Sequence, residues 1–220
     1  MQRSKKTFTS DCRRCVRLAK FLDEVRAIHE DYFARPVPSF GDPNARLLVV
    51  GLAPGMHGAN KTGRPFTGDH AGILLYETLY EHNFSSAPVS EAVTDGLELK
   101  DCRITNAVRC LPPQNKPIGD EVKNCNGYLL DELSMLPSGG VVVGLGSVAH
   151  SAVLKALKLK QSDFRFGHGS IHNLSPNLVM IDSYHCSRYN TQTRRLTAEM
   201  FSDIFPVSYT HLTLPTILRV

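Results

Sequence analysis

Four cysteines are spaced so that their thiolates could share one metal group. Cys12 and Cys15 form a C-x2-C pair near the amino terminus, Cys110 lies in the segment Asn106–Pro117, and Cys125 follows fifteen positions later. In a chain expected to be intracellular, such cysteines serve as metal ligands or reactive thiols more often than as disulfides. A zinc ribbon would usually bring two C-x2-C knuckles, and the second pair here is too widely spaced for that. Uneven spacing suits a [4Fe–4S] cube, whose irons each take one thiolate. Of the two remaining cysteines, Cys102 lies in a strand-like apolar stretch and reads as core. A second concentration of chemistry is the loop GLAPGMHGANKTGRPFTGDHAG, Gly51 to Gly72. Its glycines at 51, 55, 58 and 63 let backbone N–H groups approach a ligand closely or take positive φ. It lacks the Gly-Lys-Ser/Thr of a P-loop and the spacing of a dinucleotide fingerprint, so neither common nucleotide code applies.

These residues need elements to position them. The run Arg46–Val50 reads as a buried strand emptying into the glycine loop, the arrangement by which α/β proteins build a site at a strand's carboxyl end. Further strands are expected at 102–108, 141–144 and 178–182. Asp11 is expected to cap a helix reaching about Phe33, ended by Pro36 and Pro38; other helices are expected at 70–82, 120–136, 146–159 and 191–204. Short apolar strands separated by helices imply an α/β fold, a three-layer α/β/α sandwich around a central, mostly parallel four-stranded sheet.

The glycine loop resembles the first motif of the uracil-DNA glycosylase superfamily. The likeness is closest to the iron–sulfur family 5 enzymes, in which a GLAP loop runs into TGR-x-FTGD. The resemblance extends to the C-x2-C pair, to the segment NAVRC-x-PP-x-N-KP, and to Ser183–Asn190, which is similar to the family's HPS-x-x-N segment. It covers about Asp11 to Phe205. It implies hydrolysis of the N-glycosidic bond of a flipped-out uracil, or another deaminated base, in DNA, leaving an abasic site. A [4Fe–4S] cluster would then sit on Cys12, Cys15, Cys110 and Cys125.

The same resemblance assigns roles within the site. Asp69 and His185 are the expected catalytic pair, Asp69 to polarise water or steady the sugar and His185 to stabilise negative charge on the departing base. Asp69 also precedes a helix, where aspartate is a good N-cap, and both roles can coexist. Gly51, Ala53, Phe66 and Asn106 are expected to bind the base: Phe66 by stacking, Asn106 through an amide that offers both donor and acceptor. Lys61, Arg64, Ser187 and Arg188 are the expected phosphate contacts. Two positions depart from the family pattern. Cys186 replaces proline in the third motif and is not expected to be a ligand, and Arg194 stands where the family's Thr-Gly-Arg-Leu-Thr has glycine.

Composition agrees without deciding. The chain has 220 residues, 42% hydrophobic, with a formal charge of +4 that is compatible with a polyanion partner. No apolar run approaches the roughly 20 residues of a membrane span. The basic start Met1–Lys6 is followed by no apolar h-region. A monomeric cytoplasmic protein is expected, nucleoid-associated in a bacterium. One domain is expected over 1–206, followed by a non-native or disordered tail over 207–220, VSYTHLTLPTILRV. Without that tail's single arginine, 24 basic residues still exceed 21 acidic ones. Two other readings bear on the same residues. An iron–sulfur nucleic-acid binding module without glycosylase activity would have no need of both Asp69 and His185. A zinc deaminase would carry H-x-E and P-C-x-x-C, which are missing.

Overall fold

The computed structural model describes residues 8–205; the expected tail at 207–220 lies outside them. In chain order the helices are α1 (Val16–Ile28), α2 (Ala59–Thr62), α3 (His70–Glu81), α4 (Gly119–Met135), α5 (Ser147–Ala156), α6 (Arg188–Gln192) and α7 (Ala198–Ser202). The strands are β1 (Phe40–Gly41), β2 (Leu47–Gly51), β3 (Cys102–Asn106), β4 (Gly140–Leu145), β5 (Ile171–Ser175) and β6 (Leu178–Ser183). No helix among the described residues is long and apolar enough to cross a membrane.

The strands form one sheet in the order β1-β3-β2-β4-β6-β5. The inner four are parallel, with Val49 opposite Ile104 and Val143, and Val143 opposite Ile181. The sheet therefore has six strands, where four were expected. The two extra strands are antiparallel edges. β1 is only two residues long, and β5, Ile-His-Asn-Leu-Ser, buries only Leu174, so neither carries an apolar run.

β2 and β4 read as unbroken apolar runs because both faces are covered, while β3 carries Arg103 and Thr105 and β6 ends in Asp182 and Ser183. Leu48, Val50, Val142 and Met180 pack with residues of α1, α4 and α5. Leu47, Val49, Val141, Val143 and Ile181 pack on the other side with residues of α3 and α7. Successive side chains of a strand point to opposite faces, so adjacent positions of Leu47–Val50 serve different cores.

Two helices differ from expectation. α1 begins at Val16, with Cys15 in extended backbone as its N-cap. Asp11 instead sits beside Arg35, Oδ1 3.0 Å from Nη1. The expected helix at 191–204 is broken into α6 and α7, with Arg194 between them at φ 55°. The family's glycine would take that left-handed conformation freely, so Arg194 keeps the turn at a conformational cost. α7 restarts at Thr197, whose Oγ1 accepts from Met200 N at 3.1 Å. Cys102 and Cys186 are fully buried in the core that includes α3 and α7.

Candidate active site

The carboxyl ends of the four parallel strands open onto a cavity of about 570 Å³. That lies within the range of small-molecule sites, roughly 300–1,000 Å³. Ala53 after β2, Asn106 at the end of β3 and Leu145 at the end of β4 line it, with His185 two residues past β6. Phe66 and Asp69 enter from the glycine loop.

Asp69 is placed by the loop's backbone. It is the N-cap residue of α3, yet its side chain makes no capping hydrogen bond to that helix. Ala59 N donates to Oδ2 at 3.1 Å, and Gly55 N also bonds the carboxylate. The glycines make this possible. A Cβ at Gly55 or Gly58 would overlap the Asp69 carboxylate. Burial raises the Asp69 pKa above the ordinary aspartate value, opposed by those two N–H groups and by nearby His57. The result is a half-buried carboxylate at the cavity wall, accepting only from backbone.

Phe66 and Asn106 are packed against Gly51, where a Cβ would overlap both side chains. Phe66 is buried with φ 57°, a left-handed conformation unusual for an aromatic residue. Strain of that kind persists only where the surroundings enforce it. Its ring lies 6.0 Å from the His185 ring at an interplanar angle of 28°. It is thus at once a core residue and a cavity wall. Asn106 is 3% exposed, and its Oδ1 has no partner among the described residues. A buried acceptor without a partner costs about 1–3 kcal/mol, which a ligand could relieve.

His185 presents a second orphan, Nδ1, buried and without a partner among the described residues. Burial pushes its pKa down to about 4, so the ring is neutral near pH 7. Asn190 Nδ2 donates to the His185 carbonyl at 2.8 Å and holds the turn. A neutral imidazole still carries one N–H donor and can meet a carbonyl oxygen without bringing in a charge.

The expected phosphate contacts divide. Ser187, the N-cap residue of α6, and exposed Arg188 line the cavity. Lys61 is exposed but does not line it; its Nζ lies 3.8 Å from Asp31 and 5.4 Å from the Tyr32 ring centroid. Arg64 is corrected outright. It is 4% exposed, with Nη1 2.8 Å and 3.0 Å from the Asp95 oxygens, and its guanidinium sits over the Phe40 ring. Against the upward push of burial, the Leu97 N–H and Arg64 hold Asp95 at about 2. The arginine of TGR is therefore an internal cation that ties the glycine loop to the 90–97 segment.

Other cavity residues were not singled out in the sequence. Asn115, at φ 56° just before Pro117, carried a signal only as part of the quoted Asn106–Pro117 segment. Phe166, Tyr184 and Arg195 reach the cavity from loops without periodicity, and Arg195 lies 4.6 Å above the Tyr184 ring.

The four cysteines converge elsewhere. Cys110 and Cys125 are buried; Cys12 and Cys15 are partly so. Burial raises the Cys110 thiol, and so do Cys125, Cys12 and Cys15, which face it. Burial pushes Cys125 up to about 11 against the Arg109 backbone N–H. Asn124 Nδ2 donates to Cys15 Sγ at 3.5 Å. Thiols that mutually disfavour ionisation, with N–H donors aimed at two of the sulfurs, suit a cationic metal group that would take them as thiolates. Glu121 braces this region: its carboxylate takes Arg17 Nε and Nη2 from α1, each at 2.8 Å, and Ile118 N at 2.9 Å.

Comparison with known proteins agrees with this geometry. Residues 38–207 match the family described as the uracil DNA glycosylase superfamily. The chain is 48% identical over 198 residues to a type-5 uracil-DNA glycosylase of Thermus thermophilus, covering 88% of this chain and 90% of that protein. It is 40% identical over 198 residues to a type-5 uracil-DNA glycosylase of Pyrobaculum aerophilum, covering 88% and 86%. A type-5 uracil-DNA glycosylase of Mycobacterium tuberculosis is 39% identical over 204 residues, covering 89% and 76%.

Proposed function

The chain belongs to the uracil-DNA glycosylase superfamily, and from that premise we propose that it is a uracil-DNA glycosylase of the type-5 kind, hydrolysing the bond between uracil and deoxyribose in DNA. The observation that carries the site assignment is the meeting of Asp69, Phe66, Asn106 and His185 around one cavity, with Asn106 Oδ1 and His185 Nδ1 buried and unpartnered among the described residues.

The chemistry follows from what each group can do. A base turned out of the duplex enters the cavity and stacks on Phe66. Asn106 reads its polar edge, and the unmet Oδ1 favours a base that brings an N–H donor, as uracil does at N3. The N1–C1′ bond breaks with its electron pair on the base, so negative charge grows on the carbonyl oxygens and positive charge on the sugar. Neutral His185 donates a hydrogen bond toward the carbonyl oxygen as that charge develops. Asp69 faces the sugar as an anion, steadies the oxocarbenium-like carbon and orients the water that adds to C1′. Its raised pKa makes it a better proton acceptor than an ordinary aspartate. Ser187 and Arg188 at the mouth hold the flanking phosphates.

Cys12, Cys15, Cys110 and Cys125 would hold a [4Fe–4S] cluster, which when bound cross-links the segment before α1 to the β3–α4 connection and to α4. Its role is structural, because the cysteines do not line the cavity. The α/β/α layering, monomeric state and location with cellular DNA belong to the same reading.

The test is release of free uracil from a duplex oligonucleotide containing one deoxyuridine, in the presence of EDTA. Strand breakage is expected only after alkali or heat. Strand cleavage without them, or inhibition by EDTA, would indicate a nuclease; DNA binding without uracil release would indicate a non-hydrolytic module.

A further inference from the structure

Outside the catalytic cluster, the described residues hold one group of three metal-ligating side chains close together: His150, His172 and Asp182. Asp182, on β6, is 0% exposed. Its Oδ1 lies 2.9 Å from His150 Nδ1, and its Oδ2 lies 2.8 Å from His172 Nε2. The other ring nitrogen of His150, Nε2, lies 3.0 Å from the Phe164 carbonyl oxygen. Both ring nitrogens of His150 thus sit at hydrogen-bond distance from oxygens, one on β6 and one on the Phe164 backbone, which clamps the ring between them. Both carboxylate oxygens and both His150 nitrogens are engaged at hydrogen-bond distance, which leaves little for a metal ion.

This network fastens a cavity wall. Phe166 lines the cavity, and its ring meets the His150 ring at 5.6 Å and 74°, and Tyr184 at 6.2 Å. The loop that carries it is tied to Asp182 at both ends. His150 links the Asp182 side chain to Phe164, while Asp182 N donates to Ser170 O at 2.9 Å and Gly169 N donates to Asp182 O at 2.8 Å. His168, within the loop, accepts from Tyr184 N at 3.2 Å and so joins the wall to the strand end that carries His185. The titratable groups facing His150 are Asp182 from β6 and His172 from β5.

We propose that His150, held between Asp182 and the Phe164 carbonyl, is a positioning residue that fixes Phe166 as a specificity-determining wall of the base cavity. The part concerning base choice rests on the glycosylase reading; the hydrogen-bonded network does not. Phe166 meets the Tyr184 ring just past β6, whereas Phe66 packs against Gly51 and Asn106 and lies 6.0 Å from the His185 ring. Loosening Phe166 therefore enlarges the cavity at the Tyr184 side.

Two measurements test this. Amide spectra of the full chain should show the Phe164–Ser170 loop shifted in His150→Gln relative to wild type. An unchanged loop would overturn the proposal even in a protein with no glycosylase activity, and so would stoichiometric non-iron metal that is lost in His150→Gln and His172→Gln. The second measurement is the ratio of single-turnover rates on duplexes carrying one deoxyinosine or one deoxyuridine. Phe166→Ala should raise that ratio on the order of tenfold, the low end of what removing a pocket contact does. Phe166→Met should stay near wild type, and His150→Gln should move the ratio in the same direction as Phe166→Ala. A ratio unchanged in Phe166→Ala, or a lower melting temperature in His150→Gln with no change in ratio, would overturn it. Should His150→Gln fail to fold, the Phe166 pair still decides the wall, and His150→Asn supplies the comparison spectrum.

Discussion

Replacing Gly58 with alanine should disable Asp69 without altering any group that touches DNA. A Cβ on Gly58 would overlap Cγ and both oxygens of the Asp69 carboxylate. The carboxylate is the end of a short side chain, so it can swing away and the fold can absorb the change. The swing removes the hydrogen bond from Ala59 N, 3.1 Å in the native arrangement, and disturbs the one from Gly55. Hydrogen bonds to charged groups are worth about 1.5–3 kcal/mol, and part is regained when the carboxylate reaches water. The expected loss of stability is therefore about 1–2 kcal/mol, roughly 2–8 °C in melting temperature for a chain of this size. The chemical loss is larger. A displacement of about 1 Å from productive geometry costs on the order of 10²-fold in rate. Single-turnover uracil excision at saturating enzyme, read beside a thermal melt, separates the two effects. A wild-type rate in Gly58→Ala would refute the assignment of Asp69. A collapsed melt would instead show that the loop, not the carboxylate, is what the glycine protects.

Further outcomes follow from the charges and from the cysteines. Asp69 has a raised pKa, so the excision rate should fall as pH drops through a midpoint above the ordinary aspartate value of about 3.9, and Asp69→Asn should lose that limb. His185, down at about 4, stays neutral above about pH 5; a limb near pH 6.5 that vanished in His185→Ala would contradict this. Arg64→Met removes the buried end of the pair and leaves Asp95 to solvent and its backbone donors, and should cost about 1–3 kcal/mol by thermal or urea melts. Because Asp95 is held down at about 2, its contribution to stability is present above about pH 4 and is lost as pH falls from there through about 2. Purified protein should contain roughly four irons per chain, with Cys110→Ala losing both iron and solubility and Cys186→Ala keeping both; stoichiometric zinc in fresh protein would contradict it.

Much of the fold was legible because its inner strands are buried on both faces. Leu47–Val50 is an unbroken apolar run for that reason, whereas β3 ends at Asn106 and not at the expected Val108. β5 was not legible: at the sheet edge it leaves Ile171 exposed and carries polar His172 and Asn173. Asp11 looked like a cap because aspartate is one by propensity, but its ion pair with Arg35 and the cysteine turn start α1 four residues later. Arg64 illustrates a different limit. A cation inside a DNA-binding motif reads as a phosphate contact, and only the fold brings Asp95, thirty-one residues away, against it. Phe166 carries no local pattern because its position depends on His150 and Asp182, far along the chain. Asp69 was found through a likeness of motif, whereas the reason for its placement, two backbone N–H groups and two glycines, is visible only in three dimensions.

The central claim is that Asp69 is an anion acting on the sugar and not a helix cap, and single-turnover uracil excision by Asp69→Asn at saturating enzyme tests it most directly. A unit charge about 4 Å from the developing cation, at an effective dielectric constant of about 20, is worth about 4 kcal/mol. That corresponds to a rate loss on the order of 10³-fold. The account therefore expects a loss of that size, with DNA affinity and melting temperature close to wild type. A near-normal rate accompanied by a lowered melting temperature would contradict it.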